Sequence, residues 1–238
     1  MTADPRVLVV VPTYNERDNL PTFVPAVLKQ ANYRMLIVDD GSPDGTGDLA
    51  EELAASWGGR LSVLHRTGPR GLGRSYVDGF MRAIAEPVDL VCQMDADFSH
   101  DPGHLPALAE AAREHDLVIG SRYVKGGRVV NWPLHRVALS HAANWYIRAT
   151  TGLAVRDSTA GFRCWRRDAL ARLPLQRIES DGYGFQIEMA WEAARLGFRI
   201  AEVPIVFVER RQGQSKMSWA IVFEALRLPW RLKRRRPR

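Results

Sequence analysis

Asp95 and Asp97 stand two residues apart at the end of an apolar run, Leu-Val-Cys-Gln-Met over 90–94. On an extended chain, side chains two apart project the same way, so the two carboxylates form a side-by-side pair. Hard oxygen ligands in that arrangement suit Mg²⁺ or Mn²⁺ carrying a diphosphate. An isolated Asp-x-Asp serves equally well to cap the next helix or face water, so the choice rests on what else reaches the same place. Glu16 follows the run 7–11 and Asp40 follows 35–38. Four acids at strand ends point to one polar site.

The elements that would position them are read from periodicity. Val7-Leu-Val-Val-Val11 is β-branched and ends at Pro12, which predicts a buried first strand. Helices are expected over 19–31, 46–57, 74–85 and 103–114, alternating with strands over 35–38, 61–64, 90–94 and 117–120. That alternation calls for a doubly wound, mostly parallel α/β sheet flanked by helices. Right-handed crossovers put the loops after the strands on one edge, where open α/β sheets bind ligands. The second half is less regular: a helix over 134–151, a polar loop over 157–163, a helix over 185–196, a strand over 200–208 around Pro204, and a last helix over 219–232.

Composition narrows the class. With 238 residues, 46% hydrophobic and 25% charged, the chain has ample material for one core. Cys92 and Cys164 are too few for a disulfide framework and lack metal-ligand spacing. No run of about 18 apolar residues is present, so no membrane span is expected. The start has no signal-peptide shape, which makes the cytoplasm the expected compartment. From Arg227 onward seven residues are basic and none acidic, while the remaining 26 basic residues meet 27 acids. The net charge of +6 therefore belongs to the end of the chain. A broad nucleic-acid-binding face is excluded, since the body is near neutral and its aromatics are not interleaved with basic residues.

Several motifs carry a resemblance over nearly the whole chain. They are Pro12-Thr-Tyr-Asn-Glu16, Val38-Asp-Asp-Gly-Ser-Pro-Asp-Gly45, Asp95-Ala-Asp-Phe-Ser-His100, Gly120-Ser-Arg122, Gly182-Tyr-Gly-Phe-Gln-Ile-Glu188, and Glu202 to Arg210 followed by Gly213-Gln-Ser-Lys216. Together these resemble the inverting glycosyltransferases of GT-A fold, and among them the dolichol- or polyprenol-phosphate mannose synthases. The resemblance implies transfer of mannose from GDP-mannose to a polyprenyl monophosphate, giving a β-linked lipid-borne mannose for later mannosylation. It implies that Pro12, Tyr14, Glu16, Val38 and Asp40 hold the guanosine, with Asp40 rather than the turn-making Asp39 as the ligand. Asp95, Ala96 and Asp97 would hold the diphosphate and its metal, with Asp97 the more direct ligand. Ser99 stands where many relatives carry Gln, and would offer the metal a shorter, weaker oxygen. Arg122, Arg210 and Lys216 would bind phosphate; Asp95, Asp97 and Arg122 form the expected catalytic set.

A phosphate acceptor changes what the site needs. A phosphate monoester is largely dianionic at neutral pH, so no general base is expected, and Glu188 is the acid to watch. The Gly68–Gly73 turn is not a phosphate-binding fingerprint and receives little weight. The six histidines show no metal spacing, and His100 is expected to shape its loop. The expected organisation is a catalytic domain over 1–218 and a membrane-surface helix with basic tail over 219–238. In it Trp219, Phe223, Leu226 and Trp230 would lie on the cytoplasmic face of the membrane as a peripheral contact. The alternative is a core-packed helix with a solvated tail, and a separate integral-membrane protein could also do the docking. Rival functions are a relative using another donor such as UDP-glucose, and a sugar-nucleotide-binding protein without catalysis.

Overall fold

Alternation within the first strand already fixes two sides. Val7, Val9 and Val11 enter one buried cluster and Leu8 and Val10 another, so this strand is covered on both faces. In the computed structural model, which describes residues 4–209 and 219–234, that strand is β1 (Val7–Thr13). Around it lie β2 (Arg34–Asp39), β3 (Leu61–His65), β4 (Leu90–Gln93), β5 (Leu117–Ser121), β7 (Arg163–Arg166) and β8 (Ile200–Pro204). The seven-stranded order is β3-β2-β1-β4-β7-β5-β8. All neighbours pair in parallel except β7, which runs antiparallel to both β4 and β5.

The chain moves outward from β1 through β2 to β3, then returns across the sheet to β4 on the other side of β1. That reversal is a topological switch point, and the crevice beyond the β1 and β4 carboxyl ends is the natural ligand site. One face is covered by α1 (Leu20–Leu28), α2 (Thr46–Ser56) and α4 (Leu105–Ala111); the other carries α3 (Leu72–Ile84) and α7 (Gly182–Arg195). Helix α3 sits very close: a Cβ at Gly79 would stand 2.5 Å from Val10 Cγ1 and 2.9 Å from Val38 Cγ2. Helices α5 (Leu134–Thr151) and α8 (Trp219–Arg234) lie beyond α7, and Ile147, Ile187, Leu228 and Leu232 form a third, small cluster there.

Three expectations change. The polar loop over 157–163 runs straight into β7, whose four residues show little periodicity. The strand over 200–208 is two strands. Pro204 closes β8, and after the buried Ile205 the chain joins β9 (Val206–Val208) to β6 (Arg128–Val130) in a separate parallel pair. The helix over 103–114 is a 3-10 turn, Pro102–His104, followed by the shorter α4. The short α6 (Arg167–Leu170) had no sequence signal.

Candidate active site

The β2 loop separates its two acids by task. Asp39 accepts from Ser42 N at 3.2 Å and Ser42 Oγ at 2.6 Å, closing the turn that Gly41 and Gly45 allow with positive φ. Asp40 instead faces the crevice, accepting from Gly71 N at 2.8 Å and from Arg66 Nη1. Arg66 is itself steadied by Asp78 at 2.6 Å. Arg70 Nη1 donates to the Tyr14 hydroxyl and its guanidinium lies 4.8 Å from that ring. The 68–73 turn, given little weight from sequence, is thus a wall of this subsite. Glu16 accepts from Asn19 Nδ2 at 2.6 Å, and Glu16 N donates to Thr46 Oγ1 at 3.0 Å, joining the β1 and β2 loops. Pro12 and Val38 are register partners in the sheet, and Val38 is wholly buried with its side chain under α3. That side chain supports the floor of the crevice.

Past β4, the two aspartates are held differently. Asp97 Oδ1 accepts from Ser99 N at 3.0 Å and Ser99 Oγ at 2.6 Å. Ser99 thereby orients Asp97. Phe98 between them takes φ of +60° and packs edge-on against Phe23 of α1, which fixes the sharp bend. Asp95 Oδ1 accepts from the Tyr76 hydroxyl at 3.2 Å, and Asp95 N donates to His100 Nδ1 at 3.2 Å. His100 shapes the loop as expected. Burial outweighs the nearby Asp95 and Asp97 and lowers its pKa, so it stays a neutral acceptor. Ala96 is buried between the aspartates. Gly161 keeps the approach clear: a Cβ there would lie 3.4 Å from His100 Cε1 and 3.8 Å from Asp95 Oδ2.

No third His, Cys, Asp or Glu joins the pair into a metal-holding cluster among the described residues. Two carboxylates with room beside them fit a hard divalent cation that takes its remaining oxygens from a diphosphate and water.

Arg122 is engaged more deeply than a phosphate clamp requires. Its Nε and Nη2 meet Asp157 at 2.7 and 2.6 Å, Nη2 also reaches Thr159 at 2.8 Å, and its backbone N donates to Asp157 at 2.9 Å. The guanidinium sits 5.1, 5.5 and 5.4 Å from the Tyr123, Trp132 and Phe207 rings. Burial pulls its pKa down, but Asp157 outweighs this and raises it. Among the described residues Nε and Nη2 are taken up in this way, and Nη1 is the guanidinium nitrogen with no hydrogen-bond partner. Arg210 and Lys216 lie outside the described residues. Glu188 is buried and accepts from Ser180 N at 3.0 Å, holding the turn before α7.

Sequence reasoning missed Tyr76, Arg66, Arg70 and Asp157. Arg66 precedes the glycine-rich turn and Arg70 lies within it, a weak signal that was present. Tyr76 reads as one more apolar position of α3, and Asp157 as a loop acid.

Residues 8–174 match the model for glycosyl transferase family 2. An undecaprenyl-phosphate mannosyltransferase of Micrococcus luteus is 51% identical over 93% of this chain and 91% of its own length. A polyprenol monophosphomannose synthase of Mycolicibacterium smegmatis is 48% identical over 93% of this chain and 84% of its own. Among solved structures, a Pyrobaculum calidifontis mannosyltransferase in complex with GDP-Man and Mn²⁺ aligns at a TM-score of 0.63. It is 20% identical, and the match covers all of this chain and 66% of that one. Glucosyl-3-phosphoglycerate synthase of Mycobacterium tuberculosis, with Mn²⁺ and UDP, aligns at 0.66 and 20% identity over 96% of this chain and 78% of that one. At such identity these two speak for the fold, which is GT-A.

Proposed function

The chain belongs to glycosyl transferase family 2, and from that premise we propose that it transfers mannose from GDP-mannose to a polyprenyl monophosphate with inversion. The observation that carries the reading is near-half identity to two polyprenyl-phosphate mannosyltransferases over 93% of the chain, with Asp95 and Asp97 both standing at the switch point.

The β1 and β2 loops supply the nucleoside side. Asp40 can accept paired N–H donors of a guanine once Gly71 and Arg66 yield or share it, and Tyr14, backed by Arg70, offers a ring to stack on. Asp95 and Asp97 would hold Mg²⁺ or Mn²⁺ on the diphosphate, and the bound cation would stabilise charge gathering on the leaving group. Tyr76 and Ser99 keep the two carboxylates aimed. Arg122 Nη1 would meet a phosphate oxygen, with Asp157 and the three rings stopping the side chain from swinging away. Arg210 and Lys216 would add cations.

The acceptor phosphate is its own nucleophile. With a second pKa of about 6 it is already dianionic, so one in-line displacement at the anomeric carbon inverts the configuration without a protein base. The disposition of acids supports this: Asp157 is paired with Arg122, Glu188 holds a turn, and Glu16 and Asp40 lie on the nucleoside side. Because the acceptor is a lipid and no described helix is long and apolar enough to cross a membrane, the enzyme would meet its acceptor from the cytoplasmic membrane surface, alone or docked by an integral-membrane protein.

The test is transfer from GDP-mannose or UDP-glucose to a short polyprenyl phosphate, with Mg²⁺, Mn²⁺ or chelator, read by mass spectrometry. Mannosyl-phosphoryl-polyprenol forming with metal, lost with chelator, and reduced about 100-fold or more in Asp97→Asn, is expected. Glucosyl product in its place would overturn the donor; binding of GDP-mannose with no product from any lipid phosphate would overturn catalysis.

A further inference from the structure

Three buried polar side chains form a relay beneath the crevice. Trp165 of β7 donates from Nε1 to Gln93 Oε1 at 2.9 Å, and Gln93 of β4 donates from Nε2 to Gln186 Oε1 at 3.0 Å. Trp165 and Gln93 are wholly buried, and Gln186 of α7 is 3% exposed. An indole N–H can only donate, so the relay has one direction. Gln93 must present its oxygen to Trp165 and its nitrogen to Gln186, and Gln186 must accept with its oxygen. Gln186 Nε2 therefore faces onward, and among the described residues it donates to nothing. A donor held this dry costs stability unless something accepts from it.

The space it faces is next to the two aspartates. From the point where a Cβ on Gly161 would stand, Gln186 Nε2 lies at 3.7 Å, Asp95 Oδ2 at 3.8 Å and His100 Cε1 at 3.4 Å. Glycine at 161 thus leaves a gap bordered by an amide donor and a carboxylate. Helix α7 is keyed to the same carboxylate, since Phe185 stacks on Tyr76 at 5.6 Å and Tyr76 donates to Asp95. The next residue turns the other way: Ile187 packs with Leu228 and Leu232 of α8, whose Trp219, Phe223 and Leu226 side chains lie outside the described residues.

The strand order says what fills the gap. The nucleoside subsite lies at the ends of β2 and β1, the paired aspartates at the end of β4, and Arg122 after β5. Gly161 leads into β7, which stands between β4 and β5. A sugar nucleotide laid along this edge from base to diphosphate puts its hexose at β7, short of an acceptor phosphate near Arg122. A neutral N–H suits a neutral hydroxyl, while the charged oxygens of the substrate have a metal and arginines to meet. We propose that Gln186 Nε2 donates to one hydroxyl of the transferred hexose, with Gln93 and Trp165 as positioning residues that fix the direction of the amide. This rests on the sugar-nucleotide reading above and adds how the sugar is recognised. A donor locked in one direction reads the position and configuration of that hydroxyl, and so separates sugars that differ there.

The experiment is calorimetric binding of GDP-mannose, and of analogues that each lack one sugar hydroxyl, to the full chain with Mg²⁺ and without acceptor. In the wild type one analogue should bind about tenfold more weakly than GDP-mannose, through loss of this bond. Gln186→Met, which fills the same space without a donor, should bind that analogue and GDP-mannose alike. It should keep wild-type discrimination at the other hydroxyls and wild-type affinity for metal-free GDP, which shows an intact fold. Trp165→Phe leaves Gln186 in place but frees the amide to turn, and should weaken the same discrimination and no other. Full wild-type discrimination in Gln186→Met, or in Trp165→Phe where the first variant no longer binds metal-free GDP, overturns the proposal. So does a wild type that discriminates against none of the analogues. GDP-mannose bound with the expected pattern yet never transferred would sink the catalytic reading and leave Gln186 reading the sugar. A wild type that binds no sugar nucleotide overturns both.

Discussion

Tyr76 shows how one hydroxyl can decide whether a carboxylate is usable. The side chain is fully buried, stacked at 5.6 Å on Phe185 and on Phe80, with only its hydroxyl reaching Asp95. Burial, and after it the charge on Asp95, push its pKa well up, so the hydroxyl remains a donor throughout the physiological range. Removing the donor takes away one of the bonds that aim Asp95. Tyr76→Phe is therefore expected to lower kcat about tenfold and raise the metal concentration needed for half activity. Unfolding free energy should change by about 1 kcal/mol, and metal-free nucleotide binding not at all. Unchanged metal dependence would reduce Tyr76 to a core residue. Asp95 and Asp97 were legible because an apolar run and a spacing of two suffice to place both carboxylates on one side of a strand end. Tyr76 was not, since a core tyrosine and one whose hydroxyl crosses to a carboxylate occupy the same helical position. Nor was the state of Arg122, because its partner is 35 residues away and only the fold brings them together.

At the level of elements, β7 reverses the sheet and carries the loop that pairs with Arg122. Its sequence, Arg-Cys-Trp-Arg, has charged ends and no alternation long enough to read, yet β4 and β5 flank it on both sides. Arg163 in that strand is wholly buried, donates to the Ala160 and Ser158 carbonyls, and is pulled by burial down to about 9. Its neighbour in the same segment, Asp157, ties the end of β5 to this loop through Arg122 and receives no solvent. Asp157→Asn would leave the Arg122 charge buried without compensation, at a cost of about 3–5 kcal/mol; urea unfolding that moved by less than a third of this would mean the aromatic box alone carries Arg122. The opposite edge of the sheet offers a pH test. Asp89 accepts from Arg6 N at 2.8 Å and from its guanidinium at 3.1 and 2.9 Å, clamping the starts of β1 and β4. These bonds hold its pKa down at about 2. A depressed carboxyl adds stability above its unfolded pKa and loses it as pH falls through the folded one. The wild-type advantage over Asp89→Asn should be small at this solvent-exposed site, present in full above the unfolded pKa of about 4, and lost as pH falls through about 2. An advantage that did not shrink over that range would mean the clamp is not ionic.

For the whole molecule, the alternation of the first 120 residues was enough to infer the doubly wound sheet, because each buried strand and each amphipathic helix declares itself locally. How the last elements attach was not, since α8 has both an apolar side and a run of cations, and such a helix can serve a membrane or a core. The structure seats it on the core: Leu228 and Leu232 pack with Ile147 of α5 and Ile187 and Trp191 of α7. Arg231 reaches Ser180 Oγ at 2.6 Å and Glu188 at 3.8 Å. From there a chain of contacts leads to the nucleoside subsite, for Asp181 accepts from Gly73 N at 2.5 Å and Gly71 N in turn donates to Asp40. A boundary at 218/219 and an integrated helix therefore make different predictions. If residues after 218 are an independent appendage, Leu228→Ala/Leu232→Ala should leave the unfolding midpoint of the body and the KM for GDP-mannose where they were. If α8 completes the body, each buried leucine is worth about 2–5 kcal/mol, the two sum to less than that once the helix lets go, and the single transition moves to lower urea. The KM for GDP-mannose should then rise several-fold while kcat changes less, because the loosened turn before α7 no longer holds the Gly71–Gly73 wall against Asp40.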